Sequence, residues 1–435
     1  MDIALIEICG QGDNKDYNNG FGTTFDISGG LRAWILKKTR KHYENFPTLS
    51  YAYISAVFKK FGHNVTYYQN TIPDKCTLAL INGTAIRFQE EQNTIEMVKR
   101  TKNYPIGVFG ALPSILPELY SAADFVICGE PECIAQEIAS TETIPSGILS
   151  YSYIDDLNAL PFPDWSIYNI QKFSYAPLLP GKPFTFIQKS RGCPFQCSYC
   201  PHNPLKEYRN RNIDNVMNEI LYLKNRYQIH TLHFRDSCFM LTDKEIRFFH
   251  EFLQKEKIKI HWGMETRIDL LNKDKIDFLY ETGLRAIKVG IENASLTTLQ
   301  KHQRNFNSFA HAKELIHHCR KKGIRTNACY ILGFPEEKLA DVKQTIKLAQ
   351  EIHSSFCNFF ILTPLPGTDF ESDAKLNIID TNWEHRDNFH LIFEHDHFTA
   401  EELKKIQSRA ICRYYFRPRW LGGHILERLR TLKKH

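Results

Sequence analysis

The chain has 435 residues, 43% hydrophobic, 13% aromatic and 24% charged, with a formal net charge of +6. That length exceeds one ordinary core and predicts two or three domains, while the composition excludes a disordered, collagen-like or low-complexity chain. No run approaches the roughly 20 apolar residues of a membrane-spanning helix, and Met1 to Ile6 lack the basic start of a signal peptide, so the 12 cysteines are expected in a reducing cytoplasm.

Residues 1–150 alternate strand and helix patterns. Apolar runs at 3–8, 65–68, 78–81, 106–109 and 125–128 are bounded by Gly, Asn, Pro or Asp, the punctuation of strands. Between the first two, Leu49, Ala52, Tyr53, Ala56 and Val57 recur at helical spacing, and Gly62 stands at a C-terminal cap position. Such alternation predicts a Rossmann-like open parallel sheet with ligands at the carboxyl ends of its strands. Those ends are the 9–45 loop, Asn82-Gly83-Thr84, Gly110-Ala111-Leu112-Pro113-Ser114 and Gly129-Glu130. Residues 151–182 read as a linker, because the prolines of Leu160-Pro161-Phe162-Pro163-Asp164 forbid regular helix.

From 183 to 370 the alternation resumes with a longer period. Strand patterns fall at 183–187, 231–235, 259–263, 286–291, 326–332 and 358–362. Between them run a helical stripe of Ile213, Val216, Met217 and Ile220 with Asn212 placed to cap it, and helices over 274–281 and 309–321. Six strand–helix units predict a partial (β/α)6 TIM-type barrel, with active residues at the strand C-termini. Residues 371–435 form a small, mostly helical segment that is strongly basic: from Lys404 onward ten Lys and Arg face one acid, Glu427. Its end, Tyr414 to Trp420 followed by Leu421, Ile425, Leu426 and Leu429, either packs on the barrel or meets an anionic membrane surface.

The most informative stretch is Cys193-Pro194-Phe195-Gln196-Cys197-Ser198-Tyr199-Cys200. This C-x3-C-x2-C spacing lets three thiolates converge on one metal centre from a single loop. With His202 two residues on, a closed Cys3His zinc site satisfies the same spacing. An ordinary [4Fe–4S] cluster takes four thiolates, so three would leave one iron open. The aromatic Tyr199 before the last cysteine completes a pattern that resembles the signature of the radical S-adenosylmethionine (SAM) enzymes. The resemblance implies that Cys193, Cys197 and Cys200 hold a [4Fe–4S] cluster whose fourth iron is chelated by SAM. It implies a flavodoxin- or ferredoxin-type electron donor and cleavage of SAM to a 5′-deoxyadenosyl radical. It also implies cofactor roles for Tyr199, for Glu292 in Gly290-Ile291-Glu292, and for Gly333 and Phe334 in the Gly333-Phe334-Pro335-Glu336 turn. Arg267 is placed to pair with the SAM carboxylate, or in a surface salt bridge. Asp236 reads as a pocket acid or a turn residue, and Cys238, Cys329 and Cys357 as buried thiols or substrate-facing ones.

The first half resembles the cobalamin-binding domain that precedes the barrel in one radical SAM subfamily. The matching points are Pro47 to Ala52, Gly62-His63-Asn64-Val65, the Gly110 turn and Gly129-Glu130, and the Leu-Pro-Phe-Pro element also recurs there. The resemblance implies cobalamin against Asn82, Gly83, Gly110, Ala111, Gly129 and Glu130. The family's Asp-x-His-x-x-Gly cobalt-ligating motif is absent, and His63, in a helix–strand turn, is expected to be structural. The implied activity is methylation of an unactivated carbon of a small molecule or peptide-type natural product, with no nucleic-acid partner. Rearrangement or oxidative cyclisation without methyl transfer, a transfer-RNA methylthiotransferase and a non-catalytic cluster-binding protein are the alternatives. The methylthiotransferase requires a second cysteine triad, which Cys9, Cys76, Cys128 and Cys133 fit poorly.

Overall fold

The computed structural model describes residues 1–10, 13–150, 152–202, 207–373, 375–418, 420 and 422. Its first sheet contains β1 (Asp2–Glu7), β2 (Asn64–Gln69), β3 (Leu78–Asn82), β4 (Ile106–Phe109), β5 (Phe125–Val126) and β6 (Gly147–Ile148). The strand order is β2-β1-β3-β4-β5-β6 and every pairing is parallel, with Ile3 opposite Val65 on one side and Leu78 on the other. β3 and β4 are buried at every position, as strands covered on both faces must be. The order reverses beside β1, so the carboxyl ends of β1 and β3 flank the natural ligand crevice of such a sheet.

The second sheet contains β7 (Phe184–Ile187), β8 (Thr231–Phe234), β9 (His261–Thr266), β10 (Leu284–Glu292), β11 (Arg325–Leu332) and β12 (Phe356–Ile361). These follow one another in chain order, all parallel. The helices longer than six residues, in chain order, are α1 (Gly30–Tyr43), α2 (Leu49–Lys60), α3 (Phe88–Thr101), α4 (Pro131–Thr141), α5 (Ile213–Tyr227), α6 (Asp243–Lys255), α7 (Lys273–Glu281), α8 (Phe309–Lys322), α9 (Leu339–Ile352) and α10 (Ala400–Tyr415). α5 to α9 link successive strands of the second sheet. α10 covers the edge strand β12, where the Tyr415 hydroxyl bonds the backbone of Cys357 and Gln407 Nε2 donates to the Phe359 carbonyl. An uncovered edge would offer its backbone groups to another chain.

One helix serves both sheets. Tyr51, Ile54, Val57 and Phe58 of α2 pack into the core of the first sheet. Leu49, Ala52 and Tyr53, on its other side, join the larger core built on Phe184, Phe186 and Trp165. Each fully buried large apolar side chain contributes about 1.5–3 kcal/mol, so α2 fastens the halves together. Residues 152–182 reinforce the joint rather than hanging free: Trp165 is fully buried, and Asp164 accepts from Ser55 and pairs with Lys59.

Several expectations change. The 9–45 loop contains α1, whose basic sequence leaves only Ala33 buried among its described side chains, so no apolar stripe advertised it. β6 escaped notice because it has two residues, both exposed. β9 begins two residues later than its pattern, at His261. Asn212 occupies the position before α5 but makes no side-chain cap; its N–H instead donates to Asn158 Oδ1. Among the described residues no helix is long and apolar enough to cross a membrane. Tyr414, Tyr415 and Trp420 bond to Ser354, Cys357 and Ser355, so the described part of the C-terminal motif packs on the second sheet. Leu421, Ile425, Leu426 and Leu429, on which the membrane reading depends, lie outside the described residues.

Candidate active site

The carboxyl ends of the two sheets face a common cavity of about 700 Å³. The cysteine loop forms part of its wall from the second sheet, between β7 and α5, and is held by three sets of contacts. Asp236, at the end of β8, accepts the N–H groups of Lys189 and Ser190 and the Ser190 hydroxyl. Burial nevertheless raises its carboxyl to about 6. Gly192, at φ +76°, turns the chain into the loop where a Cβ would sit 2.3 Å from the Glu207 carbonyl oxygen. Ser198 N–H donates to the His302 carbonyl, and its hydroxyl bonds His302 Nδ1 at 3.0 Å.

Cys193, Cys197 and Cys200 all line the cavity and are free thiols. A hydrogen bond from the Cys238 thiol, opposed by burial and aided by the Phe195 N–H, Arg267 and Arg304, holds Cys193 at about 7. Burial pushes Cys200 up to about 12 and also raises Cys197. Among the described residues no three His, Cys, Asp or Glu side chains converge at single-ion distances. His202, the expected fourth zinc ligand, bonds Ser237 through Nδ1 at 2.8 Å, and burial lowers it to about 4. This arrangement suits a cubane, which takes each thiolate on a different iron, better than a tetrahedral zinc site.

Glu292 ends β10 across a register shift, at φ +67°, an uncommon conformation for a residue with a side chain. Its carboxylate folds back over Gly290, where a Cβ would sit 2.0 Å from Oε1. Strain of this kind concentrates at ligand sites. Burial raises the Glu292 carboxyl against the pull of Arg304 and Arg267. Arg304 donates Nη2 to the Gly290 carbonyl at 2.8 Å, while among the described residues neither its Nε nor the buried Tyr199 hydroxyl has a partner. Such orphaned donors cost free energy unless a ligand meets them.

Other expected residues are differently placed. Arg267 lines the cavity, but its guanidinium is engaged by Asp269 and the Asn305 carbonyl and lies 4.0 Å over the Phe195 ring. Gly333 and Phe334 do not line it: their N–H groups donate to Glu337, and the Phe334 ring packs on Tyr199 and His302, supporting the loop from behind. Cys238 and Cys329 reach the cavity; Cys357 is buried away from it under α10.

The first sheet supplies the opposite wall through Asn82, Gly110, Ala111, Gly129 and Glu130. Gly83 is excluded; a Cβ there would strike Pro113 and Tyr120, so this glycine serves packing. Gly110, at φ +127°, passes so close to Asn82 and Gly83 that a side chain would not fit. Glu130 does not offer a free carboxylate. Burial opposes its charge, yet Arg191 and Arg209, which flank the cysteine loop, hold it low and ionised, at 3.2 and 2.7 Å. Arg191 also pairs with Glu132 at 2.7 Å. These ion pairs lock the end of β5 to the cysteine-bearing segment. Ser50, at the start of α2, lines the cavity with a buried hydroxyl that has no partner among the described residues. His63 lies elsewhere, bonded to the Met1 amine at 2.9 Å and the Ala139 carbonyl at 2.8 Å.

A third component comes from the 9–45 loop, in which the sequence singled out no site residue. The segment after β1 crosses to the second sheet: the Asp16 carbonyl accepts from Arg235, the Tyr17 hydroxyl bonds that of Tyr175, and Asn19 Nδ2 donates to the Pro201 carbonyl. It places Tyr17 beneath Arg235 and Lys288, which share Glu265. The available signal was charged residues inside apolar strand patterns, Lys288 in β10 and Glu265 in β9. Arg304 carried no local signal.

Residues 187–349 match the model of the Radical SAM superfamily. An uncharacterised methyltransferase of Pyrococcus horikoshii is 27% identical over 325 residues, 70% of this chain and 70% of that protein. The anaerobic magnesium-protoporphyrin IX monomethyl ester cyclase of Cereibacter sphaeroides is 30% identical over 251 residues, 55% of this chain but only 38% of the cyclase. In fold, the chain is similar to the radical SAM methyltransferase TsrM of Kitasatospora setae, solved with cobalamin and a [4Fe-4S] cluster bound. The TM-score is 0.62 at 15% identity, covering 85% of this chain and 73% of that one.

Proposed function

From the Radical SAM superfamily domain that the chain carries across residues 187–349, we propose a cobalamin-using radical SAM methyltransferase acting on a carbon of a small molecule. In this reading residues 1–150 form a Rossmann-like cobalamin-binding domain, 151–182 the connection, 183–370 a partial (β/α)6 barrel and 371–435 a capping segment. The observation that carries it is the single cavity onto which both the three-cysteine loop and the glycine-bearing ends of the first sheet open.

The residues present fit the groups this function requires. Cys193, Cys197 and Cys200 are a soft donor set for iron, left one ligand short of a closed cluster. Glu292 and the unpartnered Nε of Arg304 fit the amine or ribose and the carboxylate of SAM. Arg304 takes the carboxylate role expected of Arg267, whose donors are engaged by Asp269 and Asn305. Around cobalamin, the unpartnered Ser50 hydroxyl and the bare backbone at Gly110 and Gly129 leave room and hydrogen-bonding capacity. His63, tied to Met1 and Ala139, would not ligate cobalt. When bound, the cluster with SAM supplies radical initiation and cobalamin supplies the methyl carrier. The chain's part is to hold these groups across one shared cavity. Ion pairs between Glu130 and Arg191 and Arg209 fix the spacing of the two walls, and the 13–20 segment closes one side.

Anaerobic reconstitution with iron, sulfide and hydroxocobalamin tests this. The expected result is iron–sulfur and cobalamin absorption in one protein and reductant-dependent SAM cleavage. With the substrate, one methylated product per 5′-deoxyadenosine is expected; a product without added methyl would favour rearrangement or cyclisation.

A further inference from the structure

Helix α1 packs on the molecule with its polar side inward. Leu31, Trp34 and Ile35 stand at i, i+3 and i+4, on one face, and are 71, 57 and 36% exposed. Lys38, one turn further along that face, is exposed and lies over the Trp34 ring at 5.0 Å. The opposite side is held to the body by charge. Lys37 pairs with Asp26 at 2.9 Å, and Arg40 pairs with Glu44 at 2.6 Å and lies 4.3 Å over the Phe25 ring. Only Ala33 and part of Leu36 join the core. A helix that faces water ordinarily shows the reverse arrangement, and large apolar side chains grouped inside a polar rim mark an interaction surface.

The rim is cationic. Residues 30–43 contain five Lys and Arg and no acid. Arg32, on the flank of α1, lies 5.4 Å over the Phe416 ring that follows α10. Arg413 and Arg409 precede Phe416 by three and seven residues, so they share its side of α10, and both are exposed. The Ser28 N–H, donated to Ser408 Oγ at 2.9 Å, fastens the start of α1 to the same helix. Acids of the adjoining segments are committed elsewhere: Asp26 to Lys37 and Lys404, Glu44 to Arg40, and Glu401 to Lys405, while Glu402 caps the far end of α10. Among the described residues Arg32, Lys38, Arg409 and Arg413 have no acidic partner.

We propose that this face of α1 docks the protein on an anionic lipid surface. Leu31, Trp34 and Ile35 enter the interfacial layer, and Arg32, Lys38, Arg409 and Arg413 meet the lipid headgroups. Apolar side chains rimmed by Lys and Arg on one surface helix are the combination that such a layer binds, through apolar burial and attraction to anionic lipid together. The tryptophan ring suits the boundary between headgroup and hydrocarbon. A second copy of the chain fits this face worse, because a symmetric contact would set its cations against themselves with no acid of α1 to answer them. At 14 residues α1 is too short to span a bilayer, so the contact is peripheral. The surface is independent of the radical reading and of every residue after Trp420.

Co-sedimentation of the full chain with lipid vesicles tests this. Vesicles of equal parts phosphatidylglycerol and phosphatidylcholine should bind it at least tenfold more tightly than vesicles of phosphatidylcholine alone, and added salt should weaken that binding by screening the headgroup contacts. The double variant Leu31→Ser/Trp34→Ser should lose at least tenfold in binding, with an unchanged circular dichroism spectrum. If it does not fold, Arg32→Glu/Lys38→Glu takes its place, with the same weakening expected. Iodide should quench Trp34 in the lipid-free protein, read as the difference between the natural chain and Trp34→Phe, and anionic vesicles should remove that quenching. Equal binding of both vesicle types, undiminished binding by the folded double variant, or a Trp34 already shielded from iodide without lipid overturns the proposal. A dimer that Trp34→Ser dissociates, with no vesicle binding by the natural chain, overturns it in favour of a second copy.

Discussion

The two walls of the cavity differ in how their chemistry is distributed. On the second sheet three cysteine side chains fall within eight consecutive residues, 193–200, braced by Asp236, His302 and Phe334 from three other elements. On the first sheet no single stretch carries the site. Asn82, Gly110 and Gly129 are contributed one strand end at a time, and what they share is close backbone passage. Concentrated chemistry should fail all at once when one residue is changed, and distributed chemistry should fail by degrees. α2, with one face in each core, keeps the walls in register.

The sharpest break in that comparison is at the cysteines. Alanine at Cys193, Cys197 or Cys200 should abolish the iron–sulfur absorption and lower SAM cleavage by at least about 1,000-fold, while cobalamin retention by the first sheet changes little. A variant with full cleavage would show that the loop does not ligate.

Next in size is the acid dependence of the shared ion cluster. The Glu265 carboxyl is held at about 2, below its ordinary 4.5. Its contribution is therefore complete above pH 4.5 and lost as pH falls toward 2, on the order of 3 kcal/mol in total. The stability gap between the natural chain and Glu265→Gln, read by urea unfolding, should narrow across that window. A gap that stays constant would contradict the ion pairing.

The arginines then sharpen the comparison within one wall. Arg304→Ala should weaken SAM binding by roughly 10- to 100-fold, about 1.4–3 kcal/mol, with little change in melting temperature. Arg267→Ala should do the reverse, costing stability through Asp269 and Asn305 and sparing more of the affinity. Titration of reconstituted protein with SAM, alongside thermal melts, separates the two.

The smallest effect belongs to the first wall's histidine. His63→Ala should cost about 1 kcal/mol of stability, the worth of a hydrogen bond or two, and leave cobalamin retention unchanged. Loss of cobalamin from a folded variant would reinstate His63 as a ligand.

How far the sequence carried the account follows the same division. The alternating pattern predicted both sets of parallel strands, because fully buried strands such as β3 and β4 read as apolar runs between turn residues. That three cysteines would line one cavity was legible because they are neighbours in the chain. Glu130 was read as a cofactor contact, since nothing local reveals that Arg191 and Arg209, some 60 to 80 residues on, would claim it. Arg267 was singled out and Arg304 passed over for a related reason: position at a strand end is readable, but commitment to Asp269 and Asn305 is not. The loop after β1 was placed at the ligand end of its sheet, but Tyr17 and Asn19 were not singled out in it, because their role lies in tertiary contacts with the other half.

The central claim is that both walls serve one chamber. Electron paramagnetic resonance on protein reconstituted with cluster and cobalamin, reduced so that both centres are paramagnetic, tests it directly. Dipolar broadening that vanishes when Cys197→Ala removes the cluster is the result expected of centres facing each other across the cavity. Two unperturbed, independently relaxing signals, or cobalamin that washes out of an otherwise folded protein, would contradict it.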